Sequence, residues 1–433
     1  MSEVAAGSPG RRRLVLVAVV ALLFRSVAIW SSPAELTGDA EEYAALGKHL
    51  RFDGVFSMGG PRSWGHPPND PADGRLAPSA WRPPGFPLVF AALWGNDPNR
   101  PPTRRVQVFN AVCGTTTAVL TVSIAGSVFP GLVVAAWPLM IQADVDPYSE
   151  ALFDVLLMGG LWLWMRGFLK SAGIVLGLGS LTRITLFPCL LLFLFVSCWR
   201  APRRRGCLTV AVFGLLTISP WIIRNEIVFR EFIPVAIAGS GTNLMAGTIF
   251  VPLFSGAALY ARFNADPEFS KITHGNRDDV ETERLMRGAG IRRIVAHPFR
   301  WVAIRIAQYP RLLLDNGEHW YRPGLVWPIK IVTLGLSTAL VMAGLIGLYS
   351  VRYDLQRWLP ALLLLAGTLA LHAPILVVAR LGAPLIPLWA VFASFCLPVR
   401  RKAECGRPVL PQADGAAFAD VVQRLDRVQY PLP

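Results

Sequence analysis

Charged residues are scarce in this sequence. Only 16% of its 433 residues are Asp, Glu, Lys or Arg, whereas 53% are hydrophobic, and the mean hydropathy is +0.45. So little charge excludes an ordinary soluble domain, in which about a quarter of the residues are charged. The hydrophobic residues recur in runs of roughly 17–25, the length that an α-helix needs to cross a bilayer. The composition therefore predicts an all-α membrane protein that crosses the bilayer many times.

The sequence also lacks the usual signatures of metal and cofactor chemistry. It contains no GxxxxGK[ST] loop, no HExxH motif and no glycine-rich turn between a strand and a helix. Its six cysteines form no CxxC pair and its six histidines are scattered, so we expect no metal site, no disulfide framework and no cofactor. The formal charge of +14 is not gathered into a basic patch with interleaved aromatic residues, which argues against a nucleic-acid partner.

Lysine is rare as well, since arginine supplies most of the 42 basic residues. Such a bias is typical of a GC-rich genome, and we expect the protein in the cytoplasmic (inner) membrane of a bacterium. The basic clusters predict its topology through the positive-inside rule. Arg11 to Arg13 hold the N-terminus in the cytoplasm, and the clusters at 166–170, 200–205, 352–357 and 400–402 fall on the same side.

We expect about ten transmembrane helices with both termini in the cytoplasm. The predicted spans are 14–31, 104–127, 131–145, 149–166, 171–183, 184–199, 207–222, 326–350, 358–378 and 382–398. They form one membrane domain, residues 1–400, with outer loops at about 32–103 and 223–325, followed by a cytoplasmic tail, 401–433. Within the second loop, Ile291–Leu314 mixes arginine and apolar residues, which is typical of an amphipathic helix in the membrane interface.

Ionisable residues gather at the outer ends of these spans. They are Asp39, Asp144, Asp146, Glu150, Arg183, Arg224 and Arg380. A charged side chain at the centre of a membrane helix costs roughly 2.5–3.5 kcal/mol, so ionisable residues at membrane depth are candidates for function. Each also has a plainer explanation, because arginines can extend to phospholipid headgroups and Glu150 can stabilise the first turn of a helix.

The segment TGDAEEYAALGKHL, residues 37–50, places three carboxylates directly after the first span. On a helix, Asp39 shares a face with Tyr43, whereas Glu41 lies on the opposite face. Asp39 and Glu42 fit a capping box, in which Asp39 accepts from the amide three residues later. The residues alone favour this capping role, although a cap uses one carboxylate oxygen and leaves a catalytic role open.

Six segments follow one another in a characteristic order: TGDAEEYAALGKHL, WRPPGFPLVFAALW, SEALFDVLL, GLGSLTR, SPWIIRN and RLGAPLIPL. In this order they resemble the bacterial lipid-carrier-dependent glycosyltransferases of the GT-C superfamily, most of all the protein O-mannosyltransferase and aminoarabinose-transferase type. The resemblance covers about residues 10–400. It implies a membrane enzyme that transfers a sugar from a polyprenyl phosphate to an acceptor lipid, glycan or protein outside the cytoplasm.

The resemblance also implies roles for single residues. The catalytic carboxylate of the first outer loop falls on Asp39, and the arginines that bind the donor phosphate fall on Arg183 and Arg380. Because an alanine follows Asp39 where many relatives have a second acid, Glu41 and Glu42 stay alternatives. Arg380 is followed by Leu-Gly instead of the Tyr-Arg that is common in the family. The further candidates are Arg224 for the donor phosphate, and Tyr43, Arg82, Asp146 and Glu150 for substrate binding.

Two other classes of membrane protein stay open. A transporter or flippase of a lipid-linked sugar would also gather arginines and carboxylates at the membrane surface. It has no need of long ordered outer loops, however, and many transporters are built from internal repeats that this sequence lacks. A non-catalytic envelope assembly protein would tolerate the loss of Asp39. Membrane lipids are partners in all three classes.

Overall fold

The computed structural model describes residues 10–32, 34–59, 76–198, 204–251, 261–273, 279–314, 326–376 and 379–396. The regular secondary structure of these residues is helical throughout, without a β-strand. The all-α class predicted from composition is therefore confirmed. The predicted cytoplasmic tail, 401–433, lies outside the described residues.

The helices are numbered here in chain order. The first ten are α1 (Arg11–Ser31), α2 (Asp39–Phe52), α3 (Gly85–Leu93), α4 (Thr103–Ala125), α5 (Val128–Ala136), α6 (Pro138–Val145), α7 (Glu150–Met165), α8 (Leu169–Thr182), α9 (Leu186–Cys198) and α10 (Arg204–Phe229). The next are α11 (Thr242–Ala246), α12 (Pro267–Thr273), α13 (Asp279–Ala296), α14 (Pro298–Gln308), α15 (Arg311–Leu314), α16 (Val326–Ser350), α17 (Leu355–His372) and α18 (Leu385–Ala393). Short 3₁₀ turns precede α17, at Arg352–Asp354, and α18, at Ala379–Gly382.

Four of the described helices are long and apolar enough to cross a membrane, namely α1, α4, α10 and the part of α16 from Ile331 to Ser350. The pair α5 and α6, bent by 57°, counts as a fifth. The other predicted spans also coincide with helices, but several are short. With 14 and 13 residues, α8 and α9 extend only ~20 Å, less than the ~30 Å of the hydrocarbon layer. The predicted count of ten crossings is therefore not confirmed.

The packing of α1 is that of a helix at the edge of a membrane bundle. Its buried residues are Val17, Ala21 and Arg25, which follow one another at intervals of four and so form a single face. The remaining surface is apolar and open, with Val19 57% and Leu23 62% exposed. Lipid tails can cover such a surface without cost because the backbone polar groups are satisfied within the helix.

Two glycines let α8 approach α10 closely. A Cβ atom on Gly173 would lie 2.6 Å from the carbonyl oxygen of Val210, and one on Gly177 would lie 2.7 Å from that of Gly214. Small residues at a contact between membrane helices allow this approach because no bulky side chain separates the two backbones. The contact positions the C-terminal end of α8, whose C-cap residue is Arg183, one of the predicted site residues.

The two segments that are predicted to be outer loops are joined by backbone hydrogen bonds. The amides of Ile237 and Ala238 donate to the carbonyl oxygens of Ala80 and Trp81, each at 3.0 Å. Residues more than 150 positions apart are thereby aligned side by side. These hydrogen bonds hold the backbone directly before Arg82 and so fix the position of that residue.

Candidate active site

Asp39 lies at the very beginning of α2. The residue before it, Gly38, has φ +56° and ψ −124°, a conformation that is essentially restricted to glycine. Gly38 occupies the N-cap position, and both carboxylate oxygens of Asp39 accept hydrogen bonds from guanidinium groups. The predicted capping box with Asp39 as N-cap is therefore wrong. The reason is that two distant arginines reach the carboxylate, which sequence spacing alone does not reveal.

Arg82 links two carboxylates of the first outer loop. Its Nη2 donates to Asp39 Oδ1 and its Nε donates to Glu42 Oε2, both at 2.5 Å. Glu42 is 2% exposed and also accepts from Trp81 Nε1 at 2.9 Å. Glu41 is exposed on the other side of the helix. Glu42 is thus a buried anchor that orients Arg82, whereas the side chain of Asp39 keeps an exposure of 13%.

Arg380 reaches Asp39 from the far end of the chain. Its Nη2 donates to Asp39 Oδ2, the oxygen that Arg82 leaves free. Its guanidinium lies 5.1 Å from the ring centre of Tyr148, and its Nε lies 3.9 Å from Glu150 Oε1. The side chain of Arg380 is 35% exposed, against 14% for Arg82. Asp39 is therefore held on both oxygens, by a buried arginine and by a more accessible one.

A second ion pair lies beside the first. Arg183 Nη1 is 2.6 Å from Glu150 Oε1 and donates to the hydroxyl of Ser149 at 3.3 Å. The hydroxyl of Tyr43 is hydrogen-bonded to the same Ser149 oxygen at 3.1 Å. Because Glu150 is only 1% exposed, it depends on the guanidinium as its counter-ion. The structure thus brings together the first turns of α2 and α7 with the end of α8.

The site contains equal numbers of the two charges. Its guanidinium groups are those of Arg82, Arg183 and Arg380, and its paired carboxylates are those of Asp39, Glu42 and Glu150. Six of the eight residues predicted for the site belong to this cluster or touch it: Asp39, Tyr43, Arg82, Glu150, Arg183 and Arg380. Asp146, four residues before Glu150, is half-buried and interacts electrostatically with Glu150 and Arg380.

These pairings shift the acidities of the site. Burial alone would raise the pKa of Asp39, but Arg380 and Arg82 outweigh it and hold that pKa well below its usual range. The pKa of Arg380 lies above its ordinary value because Asp39 and Glu150 outweigh the effect of burial. Burial and the charge of Glu150 raise the pKa of Asp146 to about 7 against the opposing effect of Arg380. Asp39 is thus ionised at neutral pH and has a low proton affinity while both arginines are paired with it. The carboxyl group of Asp146, in contrast, titrates near neutral pH.

Arg224, the third arginine predicted for the donor phosphate, lies elsewhere. It donates to the carbonyl oxygen of Ser79 at 3.0 Å. Its guanidinium lies 5.7, 4.8 and 5.2 Å from the ring centres of Phe56, Trp221 and Phe229. Among the described residues it has no contact with the carboxylates of the site. The structure therefore places Arg224 as a link between the first outer loop and α10.

Asp144 also stands apart from the site. It pairs with Arg25 at 2.6 Å, and both side chains are fully buried between α1 and α6. Arg25 was missed by sequence reasoning, although a lone arginine within an apolar span is itself a signal. Tyr148 and Ser149 were missed too, because neutral polar residues in a loop give no such signal. In the described part of the chain no three His, Cys, Asp or Glu side chains could hold a metal ion, and the expectation of no metal stays a prediction.

Neither a family model nor a curated protein sequence matches the chain. Solved structures do. The archaeal oligosaccharyltransferase AglB from Archaeoglobus fulgidus, in complex with an inhibitory peptide and a dolichol-phosphate, superimposes with a TM-score of 0.52 at 13% identity, covering 95% of this chain and 54% of that chain. The oligosaccharyltransferase of the same organism tethered to an acceptor peptide gives 0.51 at 14% identity, covering 90% and 49%. ArnT from Cupriavidus metallidurans bound to undecaprenyl phosphate gives 0.40 at 14% identity, covering 91% and 80%.

The chain has the fold of the GT-C glycosyltransferases. It spans about half the length of the oligosaccharyltransferases with which it superimposes. At 13–14% identity the likeness shows the GT-C fold alone, and the predicted fold class is confirmed by it. In this chain, the paired carboxylates lie at the first turns of α2 and α7, and Arg183 lies at the C-cap of α8.

Proposed function

We propose that the protein transfers a sugar from a polyprenyl-phosphate donor to an acceptor, with inversion, at the outer face of a bacterial cytoplasmic membrane. The observation that carries the proposal is the carboxylate of Asp39, which lies beside Arg380 and next to the Arg183–Glu150 pair. A carboxylate next to guanidinium groups supplies the two things that such a transfer needs: a base for the acceptor and a binding site for phosphate.

The reaction requires one proton transfer in the protein. The acceptor hydroxyl passes its proton to Asp39 while its oxygen forms a bond to the anomeric carbon of the sugar. The bond from that carbon to the phosphate oxygen breaks, and its electron pair stays on the phosphate. Arg380 and Arg183 stabilise the charge that builds up there, so no general acid is needed.

The remaining residues have supporting roles in this proposal. Glu150 and Glu42 orient Arg183 and Arg82, as their buried ion pairs suggest. Tyr43, which is hydrogen-bonded to Ser149, and Asp146, which lies in the field of Glu150 and Arg380, are assigned to the binding of the acceptor and the sugar. Arg224 fastens the loops and acts on the phosphate only indirectly.

The outward orientation rests on charge and on the lipid nature of the donor. Basic residues such as Arg352 and Arg357 lie at the opposite ends of the membrane helices from Arg380, which supports an outward-facing site under the positive-inside rule. The prenyl chain of the donor lies in lipid, so its phosphate is found at the membrane surface, at the depth of the helix ends.

The test is consumption of the donor. The protein in lipid nanodiscs is incubated with radiolabelled polyprenyl-phosphate sugars and an envelope extract, and released polyprenyl phosphate and labelled acceptor are measured. Transfer by the wild type and its loss in Asp39→Asn support the proposal. A transporter or flippase would move the intact donor across proteoliposome membranes without consuming it. An assembly protein would do neither, and equal activity of Asp39→Asn and wild type would exclude Asp39 as the base.

A further inference from the structure

Every guanidinium group of the site is already paired with a carboxylate. Arg183 pairs with Glu150, and Arg82 and Arg380 both pair with Asp39. A phosphate that binds at this site therefore competes with a protein carboxylate for an arginine. The outcome of that competition depends on how firmly each arginine is held.

Arg82 and Arg183 are the firmly held members. Arg82 has a second ion pair with the buried Glu42 at 2.5 Å, and Arg183 is the counter-ion of the buried Glu150 at 2.6 Å. Each of the two arginine side chains is 14% exposed. Removing either one would delete an ion pair of a buried carboxylate, and breaking a buried ion pair typically costs ~3–5 kcal/mol.

Arg380 is the arginine that can be exchanged. It is 35% exposed, its second carboxylate neighbour is Glu150 at 3.9 Å, and that carboxylate already has a closer ion pair with Arg183 at 2.6 Å. When Arg380 turns away, Asp39 still has Arg82 on its other oxygen. Asp39 therefore loses one hydrogen bond, while Arg380 also gives up its contact with the Tyr148 ring and its long ion pair with Glu150 at 3.9 Å.

We propose that Arg380 is shared between Asp39 and the donor phosphate, so that binding of the donor releases Oδ2 of Asp39 to act as the base. This inference rests on the proposed function. The phosphate takes over the Nη2 donor of Arg380, and Arg82 keeps Oδ1 oriented. The freed Oδ2 then accepts the proton of the acceptor hydroxyl while the sugar carbon exchanges its phosphate oxygen for the acceptor oxygen.

The exchange explains how a carboxylate held by two arginines can act as a base. With one of its two cations withdrawn, the pKa of Asp39 moves up toward its ordinary value, and the carboxylate gains proton affinity only when the donor is present. The coupling must be reciprocal: if phosphate weakens the Asp39–Arg380 pair, that pair weakens phosphate binding. Removing the charge of Asp39 should therefore tighten the binding of the phosphate.

The experiment measures this coupling with a polyprenyl phosphate that carries no sugar. Its affinity for the purified protein in nanodiscs is measured at pH 8 for wild type, Asp39→Asn, Arg380→Ala and the double variant. We expect Asp39→Asn to bind about five- to tenfold more tightly than wild type, at the lower end of the range typical of coupled sites. The double variant should bind as weakly as Arg380→Ala, because Asp39 acts through that arginine.

Asp146→Asn is the matched control, since Asp146 lies in the field of Arg380 without a hydrogen bond to it. An equal gain in Asp146→Asn, a gain that persists without Arg380, or an unchanged affinity in Asp39→Asn would each overturn the exchange. None of these outcomes bears on sugar transfer. A wild type that binds polyprenyl phosphate and transfers sugar, but shows no gain in Asp39→Asn, refutes only the exchange, whereas a protein that binds no polyprenyl phosphate refutes the proposed function.

Discussion

At the scale of single residues, the carboxylates of the first outer loop differ in what they can still accept. Glu42 is 2% exposed and receives two donors on one oxygen, Glu41 is exposed away from the site, and Asp39 is 13% exposed beside Arg380. We expect Asp39→Asn to lower the turnover of donor by ~10²–10⁴-fold, the usual cost of losing a general base. Glu41→Gln is the control and should keep wild-type activity. If Glu41→Gln were inactive and Asp39→Asn active, the assignment of Asp39 as the base would be wrong.

The lowered pKa of Asp39 also predicts a pH dependence of stability. A carboxylate whose folded pKa is depressed stabilises the folded state above its unfolded pKa of about 3.9, and this contribution is lost as the pH falls toward the folded value. We therefore expect Asp39→Asn to have a lower Tm than wild type at pH 5 to 7. The difference should shrink below about pH 4. Thermal unfolding across this range checks it, and a difference that grows toward acid pH would contradict the pairing.

Arg183 and Glu150 predict a pattern that separates stability from binding. Arg183→Ala leaves Glu150, which is 1% exposed, without its counter-ion, and should cost roughly 2–5 kcal/mol of stability as well as affinity for polyprenyl phosphate. Adding Glu150→Gln should restore the Tm but not the affinity. Arg183→Lys should recover part of the affinity because it keeps the charge and loses the planar fork. Full recovery of binding in the Ala/Gln double variant would show that Arg183 only neutralises Glu150.

At the scale of elements, α13 and α14 carry an apolar stripe that the described residues leave exposed. Its members recur at intervals of three or four residues and are 44–89% exposed: Ile291, Val295, Phe299, Val302 and Ile306. The opposite face is anchored at the end of α17, where Arg305 donates to the carbonyl oxygen of Ile375. We infer that the stripe lies in the membrane interface, as an amphipathic helix does.

A fluorescent label on single cysteines tests this placement. On a cysteine-free background, a label at Phe299→Cys should be quenched by brominated lipids, because the 89% exposed Phe299 would face the acyl chains. Lys271→Cys, an exposed position on α12, is the control and should be quenched far less. Equal quenching at the two positions would remove α14 from the interface.

At the scale of the whole molecule, the topology decides which side of the membrane the site faces. The turn between α16 and α17 is predicted to be cytoplasmic, and its Tyr353 is 85% exposed. In intact cells, a membrane-impermeant thiol reagent should label Ser270→Cys in the second outer loop and leave Tyr353→Cys unlabelled until the cells are opened. The reverse pattern would place the arginines and Asp39 in the cytoplasm and exclude an outer-face transfer.

The sequence by itself determined the class of the protein and most members of its site. Runs of apolar residues specify membrane helices locally, because a segment in lipid must satisfy its own backbone hydrogen bonds. Charges are costly at membrane depth, so Asp39, Glu150, Arg183 and Arg380 stood out without any knowledge of their neighbours. The number of membrane crossings does not follow from the apolar runs alone, because several of the described helices are shorter than a bilayer.

Only the tertiary structure decided how these charges are paired. Asp39 and Arg380 are separated by 341 positions, and no local rule connects them, whereas a capping box is a local pattern and was therefore favoured wrongly for Asp39. The surroundings of Arg224 were likewise decided by tertiary structure: its charge made it a candidate for the phosphate, but its neighbours are aromatic rings. A charged residue is recognised in the sequence because its burial in the membrane is costly. Its role depends on its partner, and that partner is set by packing between helices and loops that are far apart in the chain.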